Sequence, residues 1–381
     1  GGEEGLRYLL EVCRDYGIEV ILDGVFNHTG ADSLYFNKEG RYPSVGAYQS
    51  KTSPYFDWYT FKEFPDSYDC WWGIKILPKV NCRNESYRNF IAGKDGILEK
   101  YMKMGVAGWR LDVADELSDE MLDAIRQRVA QNDPCAPVFG EVWEDASNKI
   151  AYGVRRRYFT DRELDSVMNY PWQKEILRFV RGDADGADLG ERIMTLAENY
   201  PEDVLVLSTH DTPRAINALL DPRDGERAEL AKRQFSDAEL SRGKELLRMA
   251  AFLQFTLPGI ACVYYGDEAG MTGYRDPFNR KYYPWGQEDE SLQAFYRTLA
   301  KLKKTLPALR RGDVTVMEAG GGRLMFRRSC EAQTLCVCCN QSDAPWEFAG
   351  AGELLLGGRL LSVLPGRIRL DAGGYCLVTG K

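Results

Sequence analysis

Apolar residues along this chain alternate between two periods. From Glu3 to Tyr16, the side chains of Leu6, Leu9, Leu10, Cys13 and Tyr16 share one stripe at helical spacing. With acidic residues in the first turn and Gly17 behind the last, this predicts an amphipathic helix. Ile18–Leu22 follows as a short β-rich run bounded by Gly, and Asp23 stands at its C-terminal end. The pattern then recurs. A strand-like run over Met104–Leu111 ends in Asp112, and Ser118 is the expected cap of a helix carrying Met121, Leu122, Ile125 and Val129. Pro137–Gly140 ends in Glu141, and Asp203–Ser208 ends in His210-Asp211. Asp165–Met168 and Gly259–Tyr264 read as further strands, and Ala187–Tyr200 and Leu292–Leu302 as further helices.

Continuously apolar strands alternating with amphipathic helices predict a parallel sheet covered by helices, and polar groups at strand C-termini predict a site at that face. The expected architecture is α/β, a (β/α)8 TIM barrel. Only six barrel strands are countable from Ile18 onward, and the chain opens inside a helix, so the barrel is expected to be N-terminally incomplete as given. Its unpaired edges should not be stable unless the missing part is supplied. Over residues 31–94 the periodicity breaks into a turn-rich stretch holding fifteen aromatic rings, among them Tyr55-Phe-Asp-Trp58-Tyr59 and Trp71-Trp72. It reads as a lobe inserted after the first visible strand, with most of its rings needed for its own core. After Leu309, short strands at Leu324–Arg328, Thr334–Cys339, Leu360–Leu364 and Tyr375–Val378 predict a C-terminal antiparallel β-sandwich domain. The expected division is 1–30 for the first visible part of the barrel, 31–94 for the lobe, 95–311 for the rest of the barrel and 312–381 for the sandwich.

Composition narrows the chemistry. The 381 residues are 44% hydrophobic and 28% charged, with no run long enough to span a bilayer, so a soluble protein is expected. A net charge of −8 without any basic stretch argues against a nucleic-acid partner and suits a neutral substrate. The ten cysteines are scattered, and Cys336, Cys338 and Cys339 fall in an apolar run with no matching His, so neither a zinc site nor a disulfide framework is suggested. They read as thiols of a reducing, cytoplasmic compartment, with Cys70 and Cys82 left open as a local pair.

The chain has only two histidines, and each sits beside a carboxylate, in Asp23-Gly-Val-Phe-Asn27-His28 and His210-Asp211. Arg110 and Asp112 are two apart on a strand and so share a face, where the guanidinium is expected to keep Asp112 ionised as a nucleophile. Glu141, flanked by Phe139 and Trp143, is expected to hold its proton against apolar walls and act as general acid. Asp211 is the third acid. Two carboxylates of opposite protonation are what glycosidic cleavage requires. Each motif alone also reads as structure: Arg110–Asp112 as an interior ion pair, Glu141 as a capping charge, Asp211 as a turn before Pro213. Four strand-end acids with both histidines favour a site.

These residues resemble the α-amylase family of glycoside hydrolases. Asp23–His28 is similar to its first signature, Gly108-Trp-Arg110-Leu-Asp112 to the second, Phe139-Gly-Glu141-Val-Trp143 to the third and Ser208-Thr-His210-Asp211 to the fourth, in the same order. Leu77-Pro-Lys79-Val-Asn81 and Asn169-Tyr-Pro-Trp172 resemble the neopullulanase, cyclomaltodextrinase and maltogenic amylase subgroup. Val263–Glu268 and Asp276-Pro-Phe-Asn-Arg280 look like motifs after its last barrel strands.

The resemblance implies a retaining glycoside hydrolase cleaving α-1,4-glucosidic bonds in cyclodextrins, pullulan, starch or maltooligosaccharides through a covalent intermediate on Asp112. Glu141 would be the acid/base and Asp211 the transition-state stabiliser. His28, Arg110 and His210 would hold the reacting glucose, with Asp23 in support and Trp143, Asp276 and Arg280 shaping neighbouring subsites. No cofactor is required; Asn27 stands where calcium-dependent members place a ligand, although one ligand does not make a calcium site. The partners implied are an α-glucan or maltooligosaccharide and, for this subgroup, a second copy in a homodimer. A glucan-rearranging transglycosylase and a non-catalytic carbohydrate-binding relative remain the alternatives. The first two barrel strands, and the aromatic residue from them on which the reacting glucose normally stacks, are not in this sequence.

Overall fold

The computed structural model describes residues 1–381 apart from 201–203, 224, 351, 365 and 381. It divides into two compact units, Gly1–Met168 and Asn169–Lys381.

In the first unit, α1 (Gly2–Asp15) precedes β1 (Ile21–Gly24). Of the stripe expected on this helix, Leu10 is buried beside Met104 and Val106, while Leu9 and Tyr16 are exposed. Residues 31–94 contain a short antiparallel pair, β2 (Phe61–Glu63) and β3 (Ser67–Tyr68), and helix α2 (Glu85–Ala92), capped by Asn84. Their interior is aromatic. Phe36 is fully buried and meets Tyr59 and Tyr68 edge-on, with ring centroids 4.9 and 4.8 Å apart, and Trp58 packs among Tyr35, Tyr55, Tyr87 and Phe90. Edge-to-face rings give a segment with little regular structure enough buried area to hold a shape.

Helix α3 (Ile97–Met104) ends where Gly105 takes a φ of 111°, and β4 (Gly108–Leu111) begins after it. The strand expected over Met104–Leu111 is therefore half helix terminus. The left-handed glycine caps α3 and turns the chain before the strand can start. Helix α4 (Asp119–Asn132), capped by Ser118 as expected, leads to β5 (Val138–Val142), so Glu141 lies within its strand and not beyond the end. A hairpin of β6 (Ile150–Ala151) and β7 (Val154–Arg155) follows, then β8 (Ser166–Asn169). β1, β4 and β5 are parallel neighbours in a register that pairs Asp23 with Arg110 and Arg110 with Phe139. Two residues further along each strand, Asp112 and Glu141 consequently stand level and point to the same side.

The second unit runs α5 (Tyr170–Arg181), α6 (Gly186–Asn199) and β9 (Val204–Val206). Asp203, where this strand was expected to start, lies outside the described residues. α7 (Ala215–Leu220), α8 (Arg227–Leu230) and α9 (Asp237–Thr256) intervene before β10 (Ile260–Cys262), which pairs in parallel with β9. α10 (Glu290–Thr305) and α11 (Pro307–Arg311) complete the alternation. Parallel strands alternating with helices are the elements of a (β/α) barrel.

Six antiparallel strands follow: β11 (Asp313–Gly320), β12 (Arg323–Cys330), β13 (Gln333–Asn340), β14 (Trp346–Gly350), β15 (Leu354–Leu364) and β16 (Gly366–Thr379). β16 pairs with β14 through Gly366–Leu370 and with β13 through Gly374–Thr379, and β15 follows it along its length. A long strand that changes partner part-way lets the sheet fold over a core that includes Trp346, Ile368, Leu370 and Cys376. This module packs on the helices of its own unit at several places, among them Gly186 and Arg328. A Cβ on Gly186 would lie 1.9 Å from the Arg323 carbonyl oxygen, so α6 can approach β12 only with glycine there. Arg328, fully buried, donates to the carbonyls of Thr256 at 2.6 Å and Gly312 at 2.8 Å.

All ten cysteines are free thiols, so the Cys70–Cys82 pair is not formed. Among the described residues no helix is long and apolar enough to cross a membrane. Because Phe36 is the centre of the ring cluster, Phe36→Ala should lower unfolding stability by about 3–5 kcal/mol and Phe36→Leu by markedly less. Urea denaturation of the two variants measures this, and a Phe36→Ala loss below about 1 kcal/mol would mean that the rings do not form a packed core.

Candidate active site

In the first unit the register of β1, β4 and β5 delivers three carboxylates to one guanidinium. Arg110, buried on β4, donates from Nη1 to Asp23 Oδ1 at 2.7 Å and to Asp112 Oδ1 at 2.9 Å, and from Nη2 to Glu141 Oε2 at 2.7 Å. Glu141 is also buried. Its Oε2 accepts from the backbone N–H of Val113 at 3.1 Å and its Oε1 from Trp143 Nε1 at 2.8 Å. Where the sequence suggested apolar walls around Glu141, the structure supplies three hydrogen-bond donors. The indole of Trp143 contributes its polar edge and remains 45% exposed.

Val113 was not singled out from the sequence. It holds φ 39° and ψ 57°, a left-handed conformation that a β-branched residue adopts only under constraint. The effect is to turn its N–H toward Glu141 immediately after Asp112. One positive charge among three carboxylates leaves excess negative charge in a poorly hydrated place. Burial pushes the Asp112 carboxyl up to about 6, and the charges of Glu141 and Asp23 act in the same direction against the pull of Arg110. Arg110 pulls toward the ionised form, as expected from the sequence, but desolvation outweighs the ion pair. Arg110 responds in the opposite sense. Burial disfavours its charge, but the surrounding carboxylates raise its pKa overall, so it stays protonated.

His28 follows β1. It lies stacked on Trp71, with ring centroids 5.4 Å apart and planes 27° from parallel, and its backbone bridges Lys79. Burial lowers its pKa, outweighing the opposing charge of Glu116. Asn27 Nδ2 approaches His28 Nδ1 at 3.4 Å, an arrangement that suits a neutral ring with its proton on Nε2. The Leu77–Asn81 motif acts through Lys79, whose ammonium pairs with Glu116 in the loop between β4 and α4. Tyr152 at the tip of the β6–β7 hairpin donates to the same Glu116. The three groups line a cavity of about 360 Å³.

The second unit has its own network beyond β9. Asp211 Oδ2 lies 3.1 Å from His210 Nε2, and Asp211 Oδ1 accepts from Arg280 Nη2 at 3.1 Å. Arg280 Nε donates to the His210 carbonyl at 3.0 Å and faces Asp276 at 3.2 Å, so four of the sequence-predicted residues form one cluster. Asn279, passed over in the sequence, is fully buried and turns its Nδ2 toward the carbonyls of Thr209, His210 and Thr212 at 3.2, 2.7 and 2.8 Å. Below them Ser208 donates to Asp267, a completely buried acid that burial pushes up to about 6. Asp267 also meets Arg214, which is sandwiched at 4.2 and 4.6 Å from the rings of Tyr264 and Tyr265. The loop bearing Asp211 is therefore fixed from beneath by groups that never reach the surface.

Asn27 Oδ1 is buried without a hydrogen-bond partner, which leaves both its lone pairs free, but among the described residues no group of three or more His, Cys, Asp or Glu side chains gathers to hold a metal ion. One amide oxygen falls far short of the six to eight ligands that calcium takes.

The family profile described as the α-amylase catalytic domain matches residues 1–308. An amylopullulanase of Thermoanaerobacterium thermosulfurigenes is 33% identical over 84% of this chain and 18% of its own length. A cyclomaltodextrinase of Geobacillus thermopakistaniensis is 29% identical over 91% of the chain and 55% of its own. The chain thus spans 18% of the length of the first relative and 55% of the second. The crystal structure of Ttha1563 from Thermus thermophilus superposes on all of the chain and 81% of that protein with a TM-score of 0.81 at 31% identity. Because that profile matches residues 1–308, well over half of the chain, the chain belongs to the α-amylase family of glycoside hydrolases.

Proposed function

We propose that the protein is a retaining hydrolase of α-1,4-glucosidic bonds, acting on cyclodextrins, pullulan, starch or maltooligosaccharides through a glycosyl ester of Asp112. The observation that carries this reading is the bridge from Arg110 to both Asp112 and Glu141. Carboxylates accepting from the two Nη atoms of one guanidinium, on strands in level register, are closely spaced. Retaining enzymes need a spacing of about 5–5.5 Å, and inverting ones a wider gap for water. The relatives named amylopullulanase and cyclomaltodextrinase support the substrate class.

In this mechanism Glu141 gives its proton to the glycosidic oxygen as the Asp112 carboxylate attacks C1, and the sugar alcohol leaves. Water then attacks C1 of the ester, Glu141 takes back a proton, and the Asp112–C1 bond breaks to free the carboxylate. Trp143 and the Val113 N–H orient Glu141, and Arg110 keeps both acids in place. His28, neutral and fixed by Trp71, offers Nε2–H to a hydroxyl of the reacting glucose. Asp211, held by His210 and Arg280, is assigned the positive charge that develops on the sugar ring. Ten unpaired thiols fit a reducing, cytoplasmic compartment.

Assay of the full-length protein on cyclodextrins and maltooligosaccharides tests this directly. Asp112→Asn should lower kcat by roughly 10³-fold or more, as loss of a nucleophile does. An unchanged rate would remove Asp112 from the mechanism. Glu141→Gln should abolish cleavage of ordinary glucans while retaining much of the first step on an aryl glycoside whose leaving group needs no protonation. Equal loss on both would contradict an acid role.

Because Asp112 must be ionised to attack, the rate should fall as pH drops through about 6. Stability runs the other way. The folded state holds this proton more tightly than the unfolded chain, so its contribution is complete below about pH 4 and is lost as pH rises through about 6. Asp112→Asn should therefore stabilise the protein at pH 7.5 by roughly 2–3 kcal/mol more than at pH 4, read from denaturation midpoints at the two pH values.

A further inference from the structure

Residues 70–78 form a tight loop whose neck is stitched to the segment that follows His28. Cys70 bridges Pro78, Trp71 N donates to the Leu77 carbonyl at 2.9 Å, and Ile74 N donates to the Trp71 carbonyl at 2.9 Å. From the other side, Thr29 N donates to the Pro78 carbonyl at 3.1 Å and Ala31 N to the Ile76 carbonyl at 2.8 Å. Tyr68 Oη ties down the Lys75 carbonyl at 2.8 Å. The loop is therefore held along both sides.

Two tryptophans lie at its turn, and they differ sharply. Trp71 lies against His28, whereas Trp72 is 81% exposed and adopts φ 49° and ψ 31°. A bulky residue in the left-handed region costs on the order of 1–3 kcal/mol, and exposing an indole forgoes the burial that would stabilise it. Neither cost improves packing, and a glycine would remove both. Such unrelieved strain on an exposed ring is the kind that gathers at ligand clamps. The indole is also next in line from the sugar site: its ring centroid lies 6.1 Å from Trp71, which in turn lies 5.4 Å from His28. His28, Trp71 and Trp72 form a graded series from a part-buried ring to a fully presented one.

We propose that Trp72 is a platform for a glucose ring of the bound α-glucan, outside the reacting subsite and reached by oligosaccharides that extend from His28. The apolar face of a pyranose stacks on an indole, while its equatorial hydroxyls stay in water at the rim. The left-handed backbone at Trp72 turns the ring outward into solvent. Trp72 in this role selects for chain length and does not take part in bond cleavage. The inference rests on the glucan-hydrolase reading given above.

The test uses the full-length protein carrying Asp112→Asn, so that sugars bind without turnover, and compares it with the same protein carrying Trp72→Gly or Trp72→Phe in addition. Calorimetry with maltotriose and maltoheptaose is the readout. Trp72→Gly should weaken maltoheptaose about ten-fold and leave maltotriose within about two-fold, with Trp72→Phe in between. Its thermal midpoint should be equal or higher, because glycine relieves the left-handed strain. Unchanged maltoheptaose affinity, or equal loss on both sugars, would overturn the platform while leaving the hydrolase reading intact. If the Asp112→Asn parent bound neither sugar, the glucan reading itself would fail and the platform with it.

Discussion

One guanidinium shared by three carboxylates is the interaction on which the first unit's site depends. Arg110 could not be buried on β4 without partners, and Asp23, Asp112 and Glu141 could not approach one another without it. The arrangement is costly, since a single positive charge does not cancel three negative ones. Burial in this cluster displaces the Asp112 carboxyl upward to about 6, and the neighbouring Glu141 and Asp23 charges add to the shift.

The scaffold serves this cluster in simple ways. Parallel register makes strand ends level, so residues two positions beyond the Arg110–Phe139 pair become neighbours without any loop having to find its place. Val113 then departs from allowed geometry for its residue type in order to present an N–H to Glu141. In the second unit, the same problem is solved differently. Asp211 sits at a loop whose carbonyls are gathered by one buried amide, Asn279, and whose base is anchored by the Ser208–Asp267–Arg214 chain. Each acid is preorganised by groups that themselves take no part in proton transfer.

Much of this was legible in the chain because it is local. The acids Asp23, Asp112, Glu141 and Asp211 are marked by apolar runs that they interrupt or follow, although Asp23 and Glu141 lie inside their strands and Asp211 in the loop after β9, and the Ser118 cap is marked by its place before an acidic first turn. What was not legible depends on distant packing. Helix α9 is buried on every side through Met249–Thr256, so it carries no stripe to read. The strand expected from Met104 failed because the conformation of Gly105, and not the composition of the run, decides where the helix stops. The protonation logic of Asp112 and Glu141 was read from nearest neighbours, where Arg110 and Trp143 were given single roles. In three dimensions Arg110 is divided among three acids, and Trp143 offers its N–H in place of an apolar face. Val113 and Asn279 carry no chemical signal in their own side-chain types, and only backbone geometry and burial reveal what they do.

The most direct test is to trap the intermediate. Incubation of the full-length protein with a 5-fluoro maltosyl fluoride, followed by peptide mapping by mass spectrometry, should find one sugar ester, on the carboxylate of Asp112. Cleavage that proceeds with inverted product configuration and no adduct, or an adduct on Glu141 or Asp211 in place of Asp112, would contradict the assignment of Arg110's shared carboxylates as nucleophile and acid.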